Sequence, residues 1–577
     1  MTETHLSKPE DTKPEVFASK FFHFVSLCLS GKNALLFWLS AFVIFSLLSA
    51  SGLRHPLWRT ADARFIELSR ETYLSGNWAV PHLNNEVYLE KPPLFYDATA
   101  LAFLVTGRVS ETVARIPTAI CGILGALAAV AIGARLKSRS FGLLLGLILV
   151  TTFEYLRRSH SAYLDIHLAA VVNLSLLVFL HLSAPGKKSF SLGWLILFYL
   201  LLTLAFYIKG LIGLAVPVLC VVTFLAWTEG WRAVFKLRPI LGILLFLLLT
   251  LPWHYELWRQ GGWDYLKIFY LENHLYRFIQ TEESRLGHHE PFYWYFTSTW
   301  SYFAPWSLLL VPAAAAFFRR EFREWLTAPA WKFLLCWMGP ALILFSIAST
   351  KRGDYLLPLY GALVGGIAGW MLFRSDPKTA PAWEQLFAGA FGLAIAGGGL
   401  VMPVYCYFNG AGRSSLYLLA LLVPAAAAVV YAGLRAPRRF WPAVMVNVWI
   451  LALEGAVFYL PVENKHYEHS AFARQVAELT RDAGRLYSVT PNEGEKGFLN
   501  FYTGKFLVDT NAVPDLKARV EKGEPVYVVQ IYRSKKQVQN RGASVEQQGV
   551  RLEEVLKEEV KPGKFCILWR ARSLGRD

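Results

Sequence analysis

Residues 194–226 read WLILFYLLLTLAFYIKGLIGLAVPVLCVVTFLA, with one charged residue, Lys209, among them. A helix that crosses a bilayer needs about 20 mainly apolar residues. The stretch therefore predicts two spans, 190–207 and 209–227, nearly fused, with Lys209-Gly210 at the turn between them. Only helices or closed barrels satisfy their backbone groups in hydrocarbon. The apolar residues here are continuous rather than alternating, so the spans are helical.

Outward from this pair the same pattern recurs. Thirteen spans are expected, near 34–52, 112–134, 140–153, 162–183, 190–207, 209–227, 238–253, 299–318, 331–349, 354–373, 384–406, 415–434 and 439–460. Composition agrees: 54% of residues are hydrophobic and 17% charged, against about 25% charged in soluble domains. The net charge of +16 sits mostly beside the apolar runs. Topology and lipid head groups explain it, and no nucleic-acid partner is expected. The six cysteines are scattered without a CxxC, so neither a disulfide framework nor a zinc site is indicated. The first twenty or so residues are polar with no small-residue cleavage site, which predicts an uncleaved anchor rather than a removable signal peptide.

Cytoplasmic loops carry an excess of Lys and Arg. With the N-terminus inside, the inner loops hold Arg135, Lys137 and Arg139; Lys187 and Lys188; Arg232, Lys236 and Arg238; Arg319, Arg320 and Arg323; Arg374 and Lys378; Arg435, Arg438 and Arg439. Three segments follow: 1–33 cytoplasmic, 34–460 a membrane domain, and 461–577 a soluble α/β domain outside. In the last, helices are predicted at Ala471–Ala483, Val513–Glu521 and Val550–Glu559. Strands are predicted at Arg485–Val489, Phe506–Asp509, Val526–Ile531 and Phe565–Trp569. No residue of this domain signals chemistry.

Two long outer loops remain, about 52–111 and 253–298. In the first, Asp62–Leu74 has the pattern of a helix lying along the interface, flanked by Trp58 and Trp78 as anchors. Pro92 and Pro93 then stop any helix and fix Glu90 and Lys91 in place. In the second, His274 stands among aromatics, and His288 and His289 read as plain loop residues.

Basic residues on the outer turns run against the charge bias: Lys91, Arg157, Arg158, Lys209, Lys351 and Arg352. A lysine amid apolar residues costs a few kcal/mol unless it is paired or near the interface, and no sequence neighbour of Lys209 pairs with it. It is either a snorkelling turn residue or a phosphate ligand. A cationic pocket for an anionic lipid head group would explain all six residues together. Transfer of a sugar from a polyprenyl phosphate needs cations for the departing phosphate, a carboxylate for the acceptor's proton and an apolar groove. Asp62 and Asp165 are the candidate carboxylates. The alternatives are a helix cap for Asp62 and a partner of Arg157 or Arg158 for Asp165. Glu90 with His274 could hold zinc, manganese or magnesium; otherwise they are two unrelated loop residues.

These residues resemble the aminoarabinose transferases that modify lipid A and, more loosely, the protein O-mannosyltransferases, both of the GT-C fold. The resemblance spans about residues 55–375. It rests on Leu57-Trp58 through Arg64-Phe65 with Glu67, Arg70 and Glu71; Gly76-Asn77-Trp78; Glu90-Lys91-Pro92; Leu164-Asp165; Lys209-Gly210; Pro252-Trp253; Glu272 to Phe278; Pro291 to Tyr295; and Lys351 with Tyr355. It implies an all-α polytopic domain with a small α/β C-terminal domain. It also implies inverting transfer from an undecaprenyl phosphate sugar, on the outer face of a bacterial inner membrane, to lipid A, another glycan or a protein. Donor-phosphate contacts would be Lys91, Lys209, Arg64, Lys351 and Tyr355, and a metal would lie at Glu90 and His274. One departure stands out: the family's Asp-Glu-x-Arg reads Ala61-Asp62-Ala63-Arg64 here. The base is then expected at Asp62, one residue on, or at Asp165. A lipid-sugar flippase or a catalytically silent relative are the rival readings. A flippase should carry functional charges on both faces, whereas here they cluster outside.

Overall fold

The structure, a computed structural model, describes residues 34–50, 53–57, 60–183, 190–276, 290–375, 380–465, 469–510, 516–532, 550–561 and 564–573. The expectations at Trp58, Lys187, Lys188, Lys378, His288 and His289 lie outside these residues.

After α1 (Ala34–Ala50) come α2 (Thr60–Ser75), a hairpin of β1 (His82–Leu83) and β2 (Glu86–Val87), and α3 (Leu94–Thr106). Next are α4 (Glu111–Leu136), α5 (Arg139–Thr151), α6 (Phe153–Ser159), α7 (Leu164–Leu182), α8 (Leu192–Lys209) and α9 (Leu211–Glu229). α10 (Pro239–Lys267) continues as a wider turn through Ile268–Tyr276. α11 (Trp294–Tyr302), α12 (Leu310–Phe317) and α13 (Arg320–Leu326) are short. α14 (Ala328–Ile347), α15 (Tyr360–Phe373), α16 (Ala382–Cys406), α17 (Leu419–Arg435) and α18 (Phe440–Glu454) complete the bundle.

Ten helices among the described residues are long and apolar enough to cross a membrane, or eleven if a bent pair is one span. The difference from thirteen has local causes. α1 has 17 residues and falls just short. The span expected at 140–153 is α5 and α6, bent by 70° between them. The one expected at 299–318 is broken at Phe303–Pro305 into α11, a tight turn at Trp306–Leu309, and α12.

The basic loops are tied together on one face. Lys137 donates to the Trp325 carbonyl, Arg319 and Arg374 both pair with Glu384, and Trp441 Nε1 donates to the Arg374 carbonyl at 3.0 Å. The turns after α6, α8 and α14 gather on the other face.

Beyond α19 (Leu460–Lys465), the C-terminal unit comprises α20 (Ser470–Leu479), β3 (Leu486–Ser488), α21 (Glu493–Thr503), β4 (Leu507–Asp509), α22 (Leu516–Glu521), β5 (Tyr527–Tyr532), β6 (Val550–Lys561) and β7 (Lys564–Ser573). The sheet order is β4-β3-β5-β7-β6, parallel among the first three strands and antiparallel in the rest. Val550–Glu559 is therefore strand, not the expected helix. Its Glu and Lys favour helix in isolation. However, β7 buries Cys566, Ile567 and Leu568, and its backbone groups need a partner. β6 supplies one, with irregularities at Glu554/Leu556 and Glu559/Lys561. Helix α21 was not expected, although Asn492 and Glu495 form a capping box at its start.

α2 packs against protein on much of its surface. It is buried between α3 and α21, with Ile66, Glu67, Leu68 and Ser69 at 0% exposure. The hairpin turn at Asn84 and Asn85 has positive φ at both residues, and Glu71 accepts from both of their N–H groups at 2.6 and 2.9 Å. Asn84 also bonds both backbone groups of Leu507, on the edge strand β4, at 2.8 and 2.7 Å. Lys496 pairs with Glu86 at 2.6 Å, and Tyr502 accepts from the Leu57 N–H at 3.0 Å. Gly497 lets α21 approach α2: a Cβ there would lie 2.6 Å from the Arg64 nitrogen. The segment from α2 to the β1–β2 hairpin and the C-terminal unit thus pack as one body.

Candidate active site

A cavity of about 740 Å³ opens where these elements meet the ends of the spanning helices. Its walls include Arg64, Glu90, Lys91, Asp165, Lys209, Lys267, Glu272, Arg352, Asp354, Tyr355 and Glu493.

One wall is built from helix ends. Asp165 stands in the first turn of α7, and Lys209 is the last residue of α8. The Lys209 ammonium pairs with the Asp165 carboxylate and sits 4.1 Å from the centre of the Tyr355 ring. Both charged side chains are nearly buried, at 6% and 3% exposure. Lys209 is thus partnered across 44 residues of sequence, which is why no neighbour revealed it. Gly210 continues the chain at φ +67, and a Cβ there would lie 2.0 Å from His274 Nε2. Asp354 receives Arg352 at 3.4 Å and Arg158 at 3.9 Å. Arg352 donates to the Tyr163 hydroxyl at 2.5 Å, and Arg158 stacks 3.6 Å above the Tyr163 ring. Arg157 and Arg158 are held by Glu154, at 2.5 and 2.7 Å, rather than by Asp165.

The facing wall comes from outside the bundle. Tyr88 donates its hydroxyl to Glu90, and burial pushes that phenol's pKa well up. Lys91 lies 3.9 Å from Glu90 and donates to the Glu90 carbonyl at 2.9 Å. Arg64 lies 3.6 Å from Glu90 and pairs with Glu493, which α21 carries into the cavity. Arg64 Nε is buried without a hydrogen-bond partner among the described residues.

The predicted residues therefore divide. Arg64, Glu90, Lys91, Asp165, Lys209 and Tyr355 line the cavity. Lys351 is not among its walls; its ammonium donates to the carbonyls of Glu290 and Ala348 at 2.9 and 2.6 Å, bracing the turn. Asp62 is not among them either. Its carboxylate accepts from Arg115 Nη2 at 2.6 Å and from the Ala162 N–H at 2.7 Å, at 1% exposure. The geometry fits a tie between α2, α4 and the turn before α7, and does not fit a base. Sequence reasoning assigned no role to Asp354 or Glu493. Asp354 is visible in the Lys351-Arg352-Gly353-Asp354 turn; for Glu493 the only signal is the capping box of the helix that carries it.

Around Asp62, His55 Nε2 lies 3.1 Å from the His160 carbonyl, and the Arg115 guanidinium bonds the carbonyls of Leu53, His55 and Pro56. Burial, with Arg115 beside it, drops His55 from 6.5 to about 3, and burial drops His160 to about 4. Both are neutral in the fold, so below pH 6.5 the unfolded chain binds more protons and stability falls as the pH falls. Between pH 7 and pH 5 the protein should lose on the order of 3–4 kcal/mol through these two groups. Thermal unfolding in detergent should show that drop, and His55→Gln should flatten it. An equal drop in the variant would remove His55 as its source.

Glu90 and His274 are not part of a metal cluster among the described residues. No group of three or more His, Cys, Asp and Glu converges among the described residues. Glu90 already faces Arg64 and Lys91, while His274 Nδ1 lies 2.7 Å from the Phe269 carbonyl. Two ligands, one of them beside two cations, do not suit a zinc ion, which usually takes three or four protein ligands.

Residues 34–260 match the family model described as dolichyl-phosphate-mannose-protein mannosyltransferase. The chain is 30% identical over 434 residues to the undecaprenyl phosphate-α-4-amino-4-deoxy-L-arabinose arabinosyl transferase of Pseudomonas aeruginosa, covering 72% of this chain and 73% of that one. The Pseudomonas paraeruginosa protein of the same name is 29% identical over 450 residues, 74% and 76% of the two chains. The crystal structure of ArnT from Cupriavidus metallidurans bound to undecaprenyl phosphate superposes with a TM-score of 0.73 at 20% identity, over 92% of this chain and 97% of that one. The fold is accordingly GT-C.

Proposed function

Because the chain belongs to the family of undecaprenyl phosphate-α-4-amino-4-deoxy-L-arabinose arabinosyl transferases, we propose that its cavity holds the sugar-phosphate head of such a donor and that Lys209 receives the departing phosphate. The chain is a glycosyltransferase that uses a polyprenyl phosphate donor, in a multi-pass protein of the bacterial inner membrane. The observation that carries the site assignment is the Lys209 ammonium, fixed in the cavity wall at a helix end by Asp165 and Tyr355. An ammonium has three donors, and Asp165 engages one side of it. Lys91 and Arg352 add positive charge for the same phosphate.

In the step we propose, the bond from the anomeric carbon to the phosphate oxygen breaks, and the acceptor oxygen bonds to that carbon from the opposite side, with inversion. The electron pair leaves on polyprenyl phosphate, where preorganised cations stabilise it. A phosphate acceptor, such as one on lipid A, is already largely ionised at neutral pH, since its second pKa is near 6. It needs no base, which accords with Asp62 being tied elsewhere. A hydroxyl acceptor on a glycan or protein would need a carboxylate of the cavity, and Asp165 is the first candidate. The cavity faces the periplasm in this reading, because the tied basic loops lie on the opposite face.

The test is transfer by purified protein in detergent from a panel of polyprenyl phosphate sugars to lipid A, a glycan and a peptide. Transfer from the aminoarabinose donor is expected. A protein that turns over none of the donors with any acceptor would contradict the reading.

A further inference from the structure

The two walls of the cavity differ in origin. Lys209, Asp165 and Arg352 stand at the ends of membrane-spanning segments, where the phosphate of a lipid arrives. Arg64, Glu90 and Glu493 come from α2, the segment after β2 and α21, beyond the ends of those spanning segments. A donor whose lipid runs into the bilayer keeps its phosphate at the first wall and presents its sugar to the second.

Glu493 is the contribution of the C-terminal unit to this wall. Its side chain is 51% exposed, and Arg64 engages it through Oε2. A carboxylate can accept about four hydrogen bonds, so Arg64 uses only part of its capacity. It is also held in place. The capping box fixes the start of α21, and Gly497 seats that helix directly on the backbone of Ala63 and Arg64. A carboxylate on a rigid element can discriminate between substrates.

We infer that Glu493 is a specificity-determining residue that binds a cationic amino group on the donor sugar, so that the C-terminal unit selects amino sugars over neutral ones. This rests on the donor reading above. An ammonium in place of a hydroxyl converts a neutral hydrogen bond into a charge-assisted one. The preference expected from that change is about ten- to a hundredfold.

The experiment is competition binding to the full-length protein in detergent, with two synthetic undecaprenyl phosphate donors, one bearing 4-amino-4-deoxy-arabinose and the other arabinose. The wild type should bind the amino donor at least tenfold more tightly. Glu493→Gln should collapse that ratio towards one, and Glu493→Asp should restore part of it. An unchanged ratio in Glu493→Gln, or equal weakening of both donors, would overturn the inference and leave Glu493 as a partner of Arg64 alone. Absence of preference in the wild type would overturn it while sparing the donor reading. Failure to bind either donor would overturn both.

Discussion

Lys209→Met should abolish measurable transfer, with a loss of about 10²–10³-fold in kcat, the effect of removing one preorganised charge stabiliser from a transition state. Two causes would act together. The phosphate loses its cation, and Asp165 is left as a buried carboxylate stripped of the ammonium it holds. The second cause is one of stability, since breaking a buried pair from one side costs about 3–5 kcal/mol. The double variant Lys209→Met with Asp165→Leu separates them. It removes both charges, and well-packed apolar replacements of buried pairs are often neutral. Thermal stability should therefore return in the double variant while transfer stays lost. Transfer that returned with stability would make the pair a packing device and withdraw the phosphate role.

Asp62→Ala should instead be a stability variant. Arg115 is 0% exposed and loses its carboxylate, while the Ala162 N–H loses its acceptor. The expected cost is again about 3–5 kcal/mol, read as a lower unfolding temperature and poorer yield in detergent. Transfer per folded molecule should survive, because the carboxylate does not reach the cavity. A variant of normal stability with no transfer would return Asp62 to the role of base.

The comparison of these two residues shows what a sequence discloses. Lys209 was conspicuous because a lone cation in a mainly apolar stretch of 33 residues must have a reason; its partner was not, because Asp165 meets it only when α7 and α8 pack side by side. Asp62 was ambiguous because a carboxylate at a helix start has the same local pattern whether it caps, catalyses or ties, and its partner Arg115 lies 53 residues away. The spans were legible because hydrocarbon imposes continuous apolar runs, and their breaks at Thr152 and Pro305 were not, because a bend is settled by neighbouring helices. In the C-terminal unit the strands of β3, β4, β5 and β7 could be read from their short apolar runs. β6 could not, since its Glu and Lys are made extended by pairing to β7. Glu493 was invisible as a site residue: nothing in Asn492-Glu493-Gly494-Glu495 says that the helix it starts will dock on α2 beside Arg64.

The most direct test is a structure of the protein with undecaprenyl phosphate added. The phosphate should lie within hydrogen-bonding distance of Lys209, with Arg352 beside it, and the lipid should run out between helices into the bilayer. A phosphate bound outside the cavity, with Lys209 still facing only Asp165 and Tyr355, would contradict the account.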